Sequence, residues 1–198
     1  MCAIESLTVI YLTRHGQTQL NAAGRLQGHS DSQLTTRGIS QAHAVGHKLK
    51  ALIGSGPIDL WISPLGRAQE TAAIIESYLA VAQVKTDDRL AEISLGDWEG
   101  MTMEDIEFTH PGMLDGSSRF DWAYRAPKGE SETAFSARLQ SWLAEIEQSK
   151  ARSVVVSHGW AGMGLRSLYS GLAFEQVSAK GDSHEAVFEF SAGTIREL

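Results

Sequence analysis

Leu7 to Thr13 (LTVIYLT) is an unbroken run of aliphatic, β-branched and aromatic residues, which predicts a strand buried on both faces. Gly, Asn, Gln and Ser dominate from Gly16 to about Gln33, where a loop is expected. Thr35 or Thr36 can then cap a helix whose apolar positions Ile39, Ala42, Val45, Leu49 and Leu52 recur at helical spacing. The stretch from Gly54 to Pro57 breaks that helix, and Ile58 to Ile62 reads as a second buried strand. Ser63-Pro64 predicts a helix start, with Ser as N-cap and Pro in the first helical position; Ala68, Ala72, Ile75 and Leu79 form its buried face. No period holds from about Asp88 to Gly129, so loops and an insertion over a site are expected there. A helix resumes at Ser131 with Phe135, Leu139, Trp142, Leu143 and Ile146 on one stripe. Ser153 to Ser157 (SVVVS) is a third buried strand, followed by a helix from about Ala161 to Tyr169 and a last strand near Ala186 to Phe190.

Strands alternating with amphipathic helices predict an α/β fold with a mostly parallel sheet covered on both faces. Ligands of such sheets bind beyond the carboxyl ends of the strands. Arg14-His15 follows the first strand, Arg67 lies just after the second, and His158-Gly159 follows the third. Histidine and arginine are thus delivered to what should be one sheet edge.

The 198 residues fit a single domain, 1–198, with a small cap insertion at about 101–130. No apolar run approaches membrane-spanning length, and Met1 to Leu7 has no basic region of the kind that begins a secretory leader. Cys2 is the only cysteine, which excludes an intramolecular disulfide and suits a reducing, cytoplasmic compartment. A net charge of -7 without a basic stripe argues against nucleic acid as a partner. It also means that any anionic substrate must be held by a local concentration of positive charge.

Arg14 and Arg67 meet that need. A transferring phosphoryl group spreads charge over three oxygens, and its catalysis is largely positioning and electrostatic stabilisation. The guanidinium fork makes paired hydrogen bonds and is never neutral, and one oxyanion contact of this kind is worth roughly 3 kcal/mol in the transition state. His15 is a nucleophile towards phosphorus only as neutral imidazole, the form that neighbouring arginines favour. His158 can stay neutral in the same pocket or become charged when phosphate binds. Gly159 leaves an unobstructed N–H as a further donor. A proton must also reach the leaving alkoxide. Glu92 is the candidate, because a carboxyl beside a phosphate dianion is favoured in its protonated form; Glu99 is the other acid to consider. No metal and no cofactor is needed by this scheme.

These residues and their surroundings resemble the histidine phosphatase superfamily in its phosphoglycerate mutase-like branch. The likeness begins with LTRHGQTQLNAAGRLQGHSDSQLTTRGISQA from Leu12 to Ala42 and continues with SPLGRAQETA from Ser63 to Ala72. It then takes in Leu90-Ala91-Glu92 through Gly96-Asp97-Trp98-Glu99-Gly100, and closes with Ser157-His158-Gly159. The resemblance implies a three-layer α/β/α sandwich and a phosphohistidine intermediate on His15. It implies that Arg14, Arg67 and His158 form the phosphate pocket, that Glu92 donates the proton, and that Asn21, Gln27 and Gly28 line the pocket. Mutases of the branch resemble one another in a long basic segment with paired arginines. Here Met113 to Ser131 carries only the separated Arg119 and Arg125, and Gly96 to Gly100 and Gly129-Glu130-Ser131 are more like the phosphatases. His29 and Ser32-Gln33 depart from the family's usual loop.

The expected function is therefore metal-independent hydrolysis of a small-molecule phosphate ester. The other readings are a cofactor-dependent phosphoglycerate mutase and a catalytically idle phospho-ligand binding module. Phe120, Trp122 and Tyr124 are read as cap packing or, in part, as a wall for the substrate's organic portion. Asn21 and Gln27 could instead cap turns. His43 and His47 stand at zinc-protease spacing, but Ala44 occupies the place of the general-base glutamate, which favours a surface pair.

Overall fold

In a computed structural model, which describes residues 8–149, 151–179 and 183–198, three continuous apolar runs become the middle of a sheet. They are β1 (Ile10–Arg14), β2 (Ile58–Ile62) and β4 (Ser153–Ser157), each buried along almost its whole length. The sheet has six strands in the order β3-β2-β4-β1-β5-β6, completed by β3 (Val81–Thr86), β5 (Val187–Ser191) and β6 (Thr194–Glu197). β3, β2, β4 and β1 are parallel, while β5 runs antiparallel to β1 and β6 antiparallel to β5. Leu7, expected in the first strand, lies outside the described residues, as do Cys2 and the rest of Met1 to Leu7.

The period-two alternation of the central strands divides the core. Tyr11, Leu60, Ile62, Val154 and Val156 face α2 (Thr36–Ile53) and α3 (Gly66–Glu76), whose Val45, Leu49, Ala72 and Ile75 complete one cluster. Ile10, Leu12, Trp61 and Val155 face the other side, against Phe135, Leu139 and Trp142 of α5 (Glu132–Ile146) and Leu165 of α6 (Gly159–Ser170). The result is a three-layer α/β/α sandwich. Among the described residues no helix is long and apolar enough to cross a membrane.

Several boundaries differ from expectation. Thr35 does cap α2, accepting from the Gly38 N–H (3.0 Å), but Ile39 and Leu52 are exposed at 38% and 42% and lie outside the buried stripe. Ser63 does not cap α3. That helix starts at Gly66 with Leu65 in the cap position and no side-chain cap of its own, and it ends at Glu76, leaving Leu79 in the following turn. β3 and β6 escaped the apolar pattern, since β3 is a half-exposed edge strand and β6 is mostly polar. Residues 101–130 hold only α4 (Met103–Thr109), turns and a 3-10 segment (Trp122–Arg125).

Candidate active site

The parallel pairing sets the site. Arg14 is in register with Ser157 and Ile62 with Val156, so the chain leaves three neighbouring strands at one edge. The next residues continue that register: the His15 N–H donates to Ser157 O (3.0 Å) and the Ser63 N–H to Val156 O (3.1 Å). Arg14, His15, Asn21, Gln27, Gly28, Arg67, Glu92 and Gly159 all line a single cleft beyond this edge.

His15 is 2% exposed. Its Nδ1 lies 2.8 Å from Gly16 O; a carbonyl can only accept, so Nδ1 carries the proton and Nε2 keeps its lone pair. That lone pair accepts from Arg67 Nε (3.2 Å). Burial, followed by the charges of Arg14 and Arg67, holds the imidazole well below the usual histidine range. The ring is neutral and presents a nucleophilic nitrogen. His184, which has no signal in the chain's periodicity, donates from Nδ1 to the His15 carbonyl (2.6 Å).

Arg67 occupies the first turn of α3 and is 1% exposed. Its fork is spread over Gly28 O (2.8 Å), Ser30 O (3.0 Å) and Asp31 Oδ1 (3.2 Å). Asp31 also accepts from the Arg67 backbone N–H (3.2 Å), so a carboxylate from the preceding loop caps α3. The hydroxyl of Ser63 is engaged elsewhere, 2.6 Å from His158 Nε2. His158 is itself 1% exposed and stands behind the cleft lining, its ring 5.2 Å from that of His15. Burial first, and then Arg67, hold it well below the ordinary histidine range, so in this state it is neutral.

Glu92 is seated on the start of α6. Its carboxylate accepts from the N–H groups of Trp160 (3.1 Å) and Ala161 (2.9 Å), while Gly159, the first residue of that helix, has an N–H without an intrahelical acceptor. The backbone of Glu92 is clamped from behind. Arg138 of α5 donates to the carbonyls of Arg89 (2.7 Å), Ala91 (2.8 Å) and Glu92 (3.2 Å) and pairs with Glu130 (2.6 and 2.8 Å). His29 donates from Nε2 to the same Glu92 carbonyl (2.9 Å). Sequence reasoning passed over Arg138, although a lone arginine beside Phe135 and Leu139 on the buried stripe of a helix is a readable signal.

Glu99 is placed differently. Its oxygens accept from the N–H groups of His29 (2.8 Å), Ser30 (2.8 Å) and Leu95 (3.2 Å) and from the Ser30 hydroxyl (2.9 Å). These donors hold it below the usual carboxylate range despite its partial burial. It organises the loop from Gly28 to Asp31 and does not line the cleft. Asn21 and Gln27 line the cleft and also serve turns: Asn21 completes a capping box with Thr18, and Gln27 Oε1 accepts from the Thr18 hydroxyl (3.0 Å). Of the cap aromatics only Trp122 reaches the cleft; Phe120 and Tyr124 line a separate depression. His43 and His47 bracket Tyr78, His43 Nδ1 lying 2.7 Å from its hydroxyl. Among the described residues no group of three or more His, Cys, Asp or Glu is gathered to hold a metal.

The chain is 37% identical over 169 residues to a Yersinia pestis protein called probable phosphoglycerate mutase GpmB, covering 82% of this chain and 75% of that one. Among solved structures it resembles Bacillus stearothermophilus YhfR (TM-score 0.81, 28% identity, 96% and 95% of the two chains). It also resembles a mycobacterial glucosyl-3-phosphoglycerate phosphatase (TM-score 0.73, 26% identity, 96% and 97%). A third likeness is to Entamoeba histolytica phosphoserine phosphatase (TM-score 0.75, 25% identity, 97% and 95%). The model of the histidine phosphatase superfamily (branch 1) matches residues 10–182, and the protein that gathers Arg14, His15, Arg67 and His158 at one edge of its sheet belongs to that superfamily.

Proposed function

We propose that the protein hydrolyses a small phosphomonoester in two steps through a phosphohistidine on His15. His15 Nε2 attacks phosphorus, and the P–O bond to the alcohol breaks as Glu92 gives its proton to the leaving oxygen. Glu92 then takes a proton from the water that attacks the phosphohistidine, releasing inorganic phosphate and restoring the imidazole. Arg14, Arg67 and the Gly159 N–H hold the phosphoryl oxygens, and His158 backs the pocket from behind its lining; Arg67 Nε moves its bond from Nε2 to a phosphoryl oxygen as phosphorus approaches. The observation that carries this reading is the buried, neutral His15 with its proton fixed on Nδ1 and its Nε2 lone pair held by Arg67 Nε.

Water as acceptor, in place of a second hydroxyl of a phosphoglycerate, is supported by the cap. Arg125 is spent on the carbonyls of Met113 (3.3 Å) and Asp115 (2.7 Å), Arg119 lies over Phe120, and Lys128 pairs with Asp97 (3.0 Å). None of the three lines the cleft, and Arg25, which does, is paired with Asp105 and bonded to Gly100 O, so a diphosphorylated intermediate would meet no unpaired cap cation to retain it. The mutase reading keeps its place through the name of the Yersinia relative. Release of phosphate from 3-phosphoglycerate and phosphoserine, followed alongside interconversion of 3- and 2-phosphoglycerate, separates the two. Phosphate release unaffected by 2,3-bisphosphoglycerate is expected. Interconversion that outpaces release and depends on the bisphosphate would overturn the proposal.

A further inference from the structure

The side of the cleft that receives the alcohol is marked by Glu92, since the leaving oxygen must approach its carboxyl. Ile93 follows it in the chain and lines the cleft, and the Trp160 N–H that anchors the carboxylate (3.1 Å) brings the Trp160 indole to the same place. Trp160 directs its ring N–H at the Tyr124 hydroxyl (3.4 Å), outside the cleft lining. Trp122 meets it edge to face (5.5 Å, 79°) and is itself stacked on the fully buried Trp98 (6.3 Å, 20°). The two indoles are therefore braced before any ligand arrives, so little side-chain entropy remains to be lost on binding. Leu26, Leu95 and Met163 complete an apolar lining.

Charge on this side is scarce. Arg14 and Arg67 belong to the phosphate. The other cation of the described lining, Arg25, pairs with Asp105 (3.2 Å) and donates to Gly100 O (2.6 Å). A second carboxylate or phosphate on the substrate would meet one exposed, already paired arginine and would otherwise be pressed against indole and aliphatic surface, where an unpaired charge is costly.

On the phosphomonoesterase reading above, we infer that the preferred substrates are esters of uncharged alcohols that carry an aromatic or branched apolar group next to the ester oxygen, seated against Trp122, Trp160 and Ile93. Phosphorylated hydroxy acids and amino acids are poor substrates for the same reason.

Benzyl phosphate and phosphoserine test this, because both are esters of primary alcohols and neither has an activated leaving group. A single methylene in an apolar pocket discriminates about tenfold or more, so benzyl phosphate is expected to exceed phosphoserine by at least about tenfold in kcat/KM. A smaller preference, or the reverse, overturns the inference. Trp122→Ala should lower kcat/KM for benzyl phosphate at least about fivefold more than for phosphoserine, chiefly through KM for benzyl phosphate. An equal loss on both esters would refute the role given to Trp122. If that variant does not fold, the wild-type ratio still decides. Binding of both esters to His15→Ala by calorimetry separates the two levels of the proposal. Tighter binding of benzyl phosphate with no turnover by the wild type would leave the apolar seat standing and refute the hydrolase. Turnover of both esters at similar kcat/KM would do the opposite.

Discussion

Replacing Arg138 by Met removes the clamp behind Glu92 while keeping an apolar stem over the Phe135 ring, on which the guanidinium now lies at 4.9 Å. The substitution strands the Glu130 carboxylate. Its side chain is 15% exposed and that of Arg138 is 17%. Breaking a buried pair by deleting one partner costs about 3–5 kcal/mol, and the residual exposure places this site near 3 kcal/mol. The three carbonyls of Arg89, Ala91 and Glu92 also lose a charged donor, although water can replace part of it. For a chain of this size the total corresponds to a fall in Tm of roughly 10 °C. Adding Glu130→Gln to Arg138→Met should recover about 1–2 kcal/mol, since no charge is then left unpaired. Urea unfolding of wild type, both single variants and the double variant measures the coupling. The functional consequence is separable. With its backbone released, Glu92 should be misplaced as an acid, so hydrolysis of alkyl esters should fall about tenfold more than that of p-nitrophenyl phosphate, whose leaving group needs little protonation. A stability change under 1 kcal/mol with an unchanged ratio of the two activities would refute the clamp.

Three further outcomes follow from the same geometry. His15 and His158 are held neutral in the folded protein but titrate near pH 6.5 when unfolded. Their depressed values mean that the unfolded state takes up more protons below that pH. The stability they confer is complete above about pH 6.5 and is lost on acidification, by up to roughly 1.4 kcal/mol per pH unit for each ring; urea midpoints equal at pH 7.5 and pH 5.5 would contradict this. Glu99→Gln loses charge-assisted bonds to three backbone N–H groups and should slow alkyl and p-nitrophenyl esters equally, because this carboxylate orders a loop and does not protonate the leaving group. A loss confined to alkyl esters would restore it as the acid. Gly28 has φ of 53°, and a Cβ there would lie 2.5 Å from Glu99 Oε1 and 2.9 Å from Leu95 N; Gly28→Ala should cost about 1–3 kcal/mol and weaken the Gly28 carbonyl's bond to Arg67, both visible in unfolding curves and in KM.

The central strands were legible because burial on both faces leaves a continuous apolar run, and His15, His158 and Arg67 were legible because the two histidines stand at the ends of such runs and the arginine in the first helical turn after one. β3 was not, since its outer positions such as Val84 are exposed and no alternation survives at a sheet edge. The start of α3 was misread for a related reason: Ser63 obeys the local capping rule, yet a tertiary partner, His158, takes its hydroxyl and Asp31 caps the helix from another loop. Asp31 and His184 share that property. Each acts on a residue far along the chain, and no local pattern announces it. Glu92 and Glu99 look alike as loop carboxylates; only the placement of one on the start of α6 and the other among the N–H groups of its loop tells them apart.

Rapid acid-free quench of the enzyme with a 32P-labelled phosphomonoester tests the central claim most directly. Phosphohistidine chemistry predicts transient protein-bound label, stable in base and lost in acid, that maps to the peptide containing His15 and is absent from His15→Ala. Label retained in that variant, or burst-free hydrolysis in which no protein-bound phosphate forms, would contradict the assignment of His15 as nucleophile.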